Sequence, residues 1–272
     1  MSGRASFEHG PDHVAIDVSS WSSVRLDECL VGGHRNEVWS GWSSHGRVAV
    51  RRSRREPESL RWELALLGAL DAAGFLVPVP ALTDDGQASS DGVVVQRWID
   101  GREPSSNADW TLVAAELRRL HGAFAGHPQR PGCRIVTELE RSSRSVDADM
   151  AILPDDVADE VLARFATLTG IAVSVIHVDP HPSNLRIAAD GRVGLLDWDE
   201  SRVDIVDHDL SNLGIQVLPD ARQARALTLS DAWEAINAWR TEPDYARTRL
   251  DALRARRLDR GSAEPVTERR SS

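Results

Sequence analysis

The chain has no lysine; all 32 of its basic residues are arginine. That absence excludes chemistry needing a side-chain amine, such as Schiff-base formation or the phosphate-binding lysine of a P-loop. Cysteine is nearly as scarce. Cys29 and Cys133 are the only two, so no disulfide framework and no zinc pattern is implied, and a reducing cytoplasm is the expected compartment. No apolar run in the sequence is long enough to span a membrane. The opening MSGRASFEHGPDHVAID lacks the apolar stretch of a secretory signal. Positive charge is also in deficit. A net charge of −10 disfavours a nucleic-acid partner and suits a cationic small substrate, although solubility alone would account for it.

What is present is a soluble globular composition, 41% hydrophobic and 27% charged over 272 residues. That length supports one large domain or two lobes. Residues 1–14 are polar and expected to fray. The segments VRLDECLV, EVWSGW and RVAVRR read as strands, with turns at GGHRN and SSHG. EPESLRWELALLGALDAAG reads as a helix, opened by Pro57 and closed by Gly74. GVVVQRW is a further short strand, and IDGREPSSNAD is rich in helix and strand breakers. From Asp109, the expected N-cap, helical periodicity takes over in DWTLVAAELRRLHGAF and PDDVADEVLARFATL and near residues 219–238 and 243–258. The expected class is α+β with two lobes: a strand-rich lobe over 15–98 with one helix, a linker at 99–108, a mostly helical lobe over 109–260 and a disordered tail at 261–272. Two lobes imply a cleft, and clefts hold ligands.

The densest polar chemistry lies in VIHVDPHPSNLRIAADGRVGLLDWDE, residues 175–200. Asp190-Gly191 is a two-residue hairpin signal. If those residues form the turn, Leu185 lies opposite Leu196 and Asn184 opposite Asp197. Opposed side chains sit about 5 Å apart, and two oxygen donors at that spacing can hold a hard cation. The same residues could instead be the polar end of an ordinary hairpin. His177 and His181 have the i, i+4 spacing of zinc ligands, but Pro180 and Pro182 rule out the helix that spacing needs.

His177-x-Asp179-x4-Asn184, followed by an apolar strand ending at Asp197 in LLDWDE, resembles the catalytic and metal segments of aminoglycoside phosphotransferases and of the choline and homoserine kinases of the same kinase-like superfamily. The resemblance covers roughly residues 24–215 and rests on the order and spacing of several motifs together. It reaches Val48-Ala49-Val50-Arg51, which stands where kinases carry V-A-I-K, with arginine in the lysine position. Strand alternation puts Arg51 on the face of Ala49, the small residue an adenine ring needs. The arginine fork is bulkier and less point-like than an ammonium.

The resemblance implies transfer of the ATP γ-phosphoryl group to a hydroxyl. Asp179 accepts or orients the hydroxyl proton, Asn184 and Asp197 hold Mg²⁺, and Arg51 clamps phosphates with Glu63 as its acid partner. Glu63 shares a helix face with Leu60 and Leu67, and Glu58 is the less apolar competitor. Gly32-Gly33 forms the phosphate loop, or an ordinary hairpin loop, and backbone groups from Gln96 to Trp98 meet adenine. His177 organises the catalytic loop. Asp199 is a metal-supporting group, a substrate contact or a helix cap. Asp209 fits an N-cap and, in the family, supports the catalytic loop.

Asp199, Glu200, Asp204 and Asp207 could line a mouth that attracts amines, with Asp204 the one expected to be a solvated loop residue. The acceptor is a hydroxylated small molecule: an aminoglycoside or other cationic antibiotic, or a metabolite of the choline, homoserine or sugar type. The contrasting expectation is a nucleotide-binding protein without turnover. A protein kinase is disfavoured because no APE segment occurs and DWD replaces DFG. Oligomeric state leaves no trace in the sequence.

Overall fold

The computed structural model describes residues 16–30, 38–145, 147–168 and 170–261. The start expected to fray, the Gly32-Gly33 loop and residues 262–272 of the expected tail lie outside the described residues. The chain divides into two compact units, Met1–Ile99 and Asp100–Ser272.

In the first unit, β1 (Arg25–Leu30), β2 (Val38–Ser43), β3 (Gly46–Arg52) and β4 (Val93–Arg97) form an antiparallel sheet in that order. Alternation sends Val48, Val50, Val93 and Val95 into a core with Ile16, Trp21 and Val24. The register pairs Ala49 with Gln96 and Arg51 with Val94. Opposed residues share a face, so Ala49, Arg51 and Gln96 stand together on the face opposite the valine core. Helix α1 (Pro57–Ala72) buries Leu60, Leu64, Leu66, Leu67 and Leu70, with Glu63 among them. Pro57 occupies its first turn, where a missing N–H costs nothing. Gly74 closes it at φ +80°, with Phe75 N–H bonded to Leu70 O and Gly74 N–H to Asp71 O.

In the second unit, α2 (Asn107–Ala123), α3 (Asp155–Phe165), α5 (Asp220–Ala238) and α6 (Pro243–Gly261) accompany two small antiparallel ribbons and the short α4 (Asp207–Ser211). One ribbon pairs β5 (Val173–Ile176) with β8 (Arg202–Ile205); the other pairs β6 (Leu185–Ile187) with β7 (Val193–Leu195). Val161, Phe165, Ile176, Leu229, Trp233 and Leu253 are among the residues of the shared core. Among the described residues no helix is long and apolar enough to cross a membrane.

The N-cap of α2 is Ser106, not Asp109 as expected. Ser106 Oγ accepts from Asp109 N–H at 3.2 Å, and Asp109 Oδ2 accepts from Ser106 N–H at 3.0 Å. Asp109 is thus the third helical residue, the reciprocal half of a capping box. Arg102 also binds that carboxylate through both Nη atoms, at 2.7 and 2.8 Å. Its hydrogen bonds, helped by the N–H groups of Ser105 and Ser106, hold Asp109 far below the usual carboxylate range. The helix therefore starts inside the expected linker. The linker is docked too: Arg102 and Ile187 exchange both backbone hydrogen bonds, at 3.2 and 2.7 Å. Gly101 at φ +149° permits this, since a Cβ there would lie 2.8 Å from Ile187 O.

Candidate active site

The hairpin of residues 185–195 forms one register away from the expected one. Leu185 pairs with Leu195 and Ile187 with Val193, and Leu196 N–H donates to Asn184 O at 2.8 Å. Asn184 is therefore opposite Leu196, not Asp197. The cause is the turn. Ala188 N–H bonds Arg192 O, Gly191 N–H bonds Ala188 O, and Gly191 sits at φ +84°. This is a three-residue loop ending in a left-handed glycine, the next commonest hairpin after the two-residue turn. A one-residue slip reverses the faces of a regular strand, but β7 ends at Leu195 and Asp197 itself adopts φ +56°. The direction of Asp197 is set by that backbone kink and not by strand alternation.

Three non-glycine residues among those described have positive φ: Asp91, Val178 and Asp197. Two of them flank or form the predicted site. Val178, at φ +81°, is β-branched, for which this conformation is a true outlier. It is held by Asp209, whose Oδ1 accepts from Val178 N–H at 2.7 Å and whose Oδ2 accepts from His177 N–H at 2.9 Å. His121 Nε2 meets the same Oδ2 at 2.9 Å. Burial works to raise the Asp209 carboxyl pKa, but the hydrogen bond from His121, the proximity of His121 and His177 and the His177 N–H outweigh it, and the net shift is downward. Asp209 is not the N-cap of α4, which follows Val206; it lies inside the helix, wholly buried. Its loop-supporting role is carried by these contacts.

Buried His177 places Nε2 at 2.6 Å from Leu196 O. A carbonyl only accepts, so Nε2 carries the proton. The ring packs edge-on to Trp198 at 5.0 Å. His177 thus ties the start of the segment to the backbone beside Asp197. Asp179 and Asp197 are exposed, while their neighbours Val178 and Trp198 are buried. Asn184 Nδ2 donates to Asp179 Oδ2 at 2.8 Å, fixing that carboxylate.

The acidic stretch after Asp197 differs from expectation. Asp204 is fully buried, not solvated: it pairs with buried Arg202 at 2.9 Å and accepts from Val136 N–H and Ile205 N–H. Burial pushes its carboxyl up against the opposing pull of Arg202. Asp207 is buried and paired with Arg222. Neither presents free charge to an amine, because each has its own arginine. Asp199 is buried in a turn leading to β8, so it caps no helix. The turn is clamped by two residues that the sequence reading missed. Arg130 Nη1 donates to the carbonyls of Trp198, Asp199 and Ser201 at 3.3, 2.6 and 3.0 Å. Gln129 exchanges hydrogen bonds with Val203 at 2.7 and 3.0 Å. No local pattern marks them, since their partners lie about 70 residues away.

In the first unit Arg51 is buried and paired with fully buried Glu63. Its Nε donates to Gln96 Oε1 at 3.2 Å, and Gln96 Nε2 donates to Pro78 O at 3.1 Å. Glu58 instead stays exposed beside Arg61. Gln96 pairs with Ala49 in the sheet and with Pro80 across a bridge. Trp98 N–H bonds Arg47 O at 3.3 Å, and the Arg47 guanidinium lies 3.7 Å from the Trp98 ring centroid.

Among the described residues no cluster of three or more His, Cys, Asp or Glu is placed to hold a metal. The predicted ligands, one amide and one carboxylate, are hard oxygen donors of the kind Mg²⁺ uses when substrate phosphates and water complete its shell.

A model of the phosphotransferase enzyme family matches residues 29–253. Similar solved structures include choline kinase LicA from Streptococcus pneumoniae, with 17% identity, a TM-score of 0.61, and coverage of 86% of this chain and 94% of that one. A microcompartment-associated aminopropanol kinase shows 14% identity and a TM-score of 0.61, covering 88% and 93%. The GDP complex of an aminoglycoside 2'-phosphotransferase shows 17% identity and a TM-score of 0.54, covering 90% and 95%. At these identities the likeness is one of fold. No curated protein sequence matches the chain.

Proposed function

The chain belongs to the phosphotransferase enzyme family, and from that premise we propose that it transfers the γ-phosphoryl group of ATP to a hydroxyl of a small molecule carrying an amine. The observation that carries this reading is the pair of exposed acids, Asp179 and Asp197, with positive-φ backbone at Val178 and at Asp197 itself and buried partners on either side. Strained backbone of this kind persists only where surrounding structure over-determines it, and it clusters at active sites.

In this reading Asp179 Oδ2, oriented by Asn184 Nδ2, accepts the proton of the acceptor hydroxyl. Asn184 through its amide oxygen and Asp197 through its carboxylate would hold Mg²⁺, which when bound neutralises charge on the phosphate oxygens. Arg51, pinned by Glu63, supplies a second positive charge to the nucleotide phosphates. His177 and Asp209 touch no substrate; they hold the backbone that aims Asp179 and Asp197. The preference for a nitrogen-bearing acceptor is supported by the names of the similar structures, a choline kinase, an aminopropanol kinase and an aminoglycoside phosphotransferase, since choline, aminopropanol and aminoglycosides each carry a hydroxyl and an amine or quaternary ammonium group.

The test is ATP consumption with choline, aminopropanol, aminoglycosides and neutral sugars as acceptors. At least one amine should stimulate turnover. Asp179→Asn should lower kcat by about 100-fold or more, the low end for a lost general base, with little change in MgATP binding. MgATP binding without turnover for every acceptor would instead favour a nucleotide-binding regulator.

A further inference from the structure

The surroundings of Arg51 suit a guanidinium and not an ammonium. Taking Arg51 as the cation for nucleotide phosphates, as in the reading above, we propose that Gln96 is a positioning residue that makes this site specific for arginine. Ala49, Arg51 and Gln96 share one face of the sheet through the β3–β4 register. Arg51 Nε donates to Gln96 Oε1 at 3.2 Å, and Arg51 Nη2 pairs with Glu63. Arg51, Gln96 and Glu63 are all buried. The Gln96 amide is itself anchored, since its Nε2 donates to Pro78 O at 3.1 Å. That bond leaves Oε1 as the amide atom turned to Arg51.

The guanidinium is a rigid planar fork. Gln96 accepts from Nε and Glu63 from Nη2. Two acceptors on different nitrogens of a planar group fix the plane of the fork, and so the direction of its other end. A single acidic partner would fix only a distance.

Lysine could not use this arrangement. It carries a methylene where arginine has Nε, so Gln96 Oε1 would face a C–H group while buried, with its donor lost. The ammonium would stand where Cζ now lies, one bond short of Nη2, with Glu63 as its fixed partner. Restoring the lysine found in the V-A-I-K pattern therefore damages the site instead of improving it.

The experiment measures MgATP affinity by titration calorimetry, and ATP hydrolysis without acceptor, on the full chain and four variants: Arg51→Lys, Gln96→Met, the double variant, and Arg51→Ala. Thermal melts confirm that each is folded at the assay temperature, and Gln96→Leu serves if Gln96→Met does not fold. Arg51→Lys should weaken MgATP binding about 10-fold or more, the scale of a lost hydrogen bond to a charged group. Gln96→Met, or Gln96→Leu in its place, should weaken it in the same direction. The double variant should bind no worse than Arg51→Lys alone, because the Gln96 acceptor is already idle there. Parent-like binding by Arg51→Lys, or losses that multiply in the double variant, would overturn the proposal while leaving Arg51 as the phosphate cation. Parent-like binding by Arg51→Ala would overturn that assignment itself.

Discussion

Val178 is a β-branched residue at φ +81°, a conformation that costs on the order of 1–3 kcal/mol. Asp209 offsets that cost by accepting the N–H of Val178 and of His177 at once, while His121 covers the same carboxylate. Asp209→Asn keeps the shape but loses an acceptor and the charge facing His121. We expect it to destabilise the protein by about 2 kcal/mol, the scale of a lost buried hydrogen bond to a charged group, measured by urea unfolding, and to lower phosphoryl transfer as well.

A second residue sets the acid response. His208 is buried, near Arg202, Asp209 and Arg249; burial first and Arg202 second push its pKa down to about 3. The unfolded histidine takes up its proton near pH 6.5, so acid favours the unfolded chain. Stability should therefore fall as the pH drops from about 6.5 towards 3, by about 1.4 kcal/mol per pH unit from this one proton. Denaturant titrations across that range should show the slope, and His208→Gln should remove most of it.

At the scale of elements, two local devices decide where chains begin and turn. The capping box of α2 joins Ser106 and Asp109, and Ser106→Ala should cost about 1 kcal/mol in thermal unfolding. Gly191 ends the hairpin loop at φ +84°, and Gly191→Ala should cost about 1 kcal/mol for the same steric reason that disfavours left-handed helices. Helix α1 was legible because its cues are local: Pro57, a leucine stripe and Gly74 lie within one segment. The hairpin register was not, because Asp190-Gly191 suits both a two-residue turn and the end of a three-residue loop. The choice between them moved Asn184 from Asp197 to Leu196.

At the scale of the whole molecule, the absence of lysine makes a chemical prediction. Amine-selective acylation should modify nothing but a terminal amine, as read by intact mass, and should leave phosphoryl transfer unchanged. In the proposed reading the cation for nucleotide phosphates is Arg51, paired with Glu63, which such reagents do not touch.

From sequence alone came the α+β class, the order of the motifs and the residue types at Arg51, Glu63, His177, Asp179, Asn184 and Asp197, because hydrophobic periodicity and motif spacing act over a few residues. Tertiary structure alone decided the neutralisation of Asp204 and Asp207 by arginines, the clamp of Arg130 on the turn after Trp198, and the capture of Gln96 by Arg51. A buried charge must find a partner wherever the fold brings one close, and that partner's place in the chain follows no local rule.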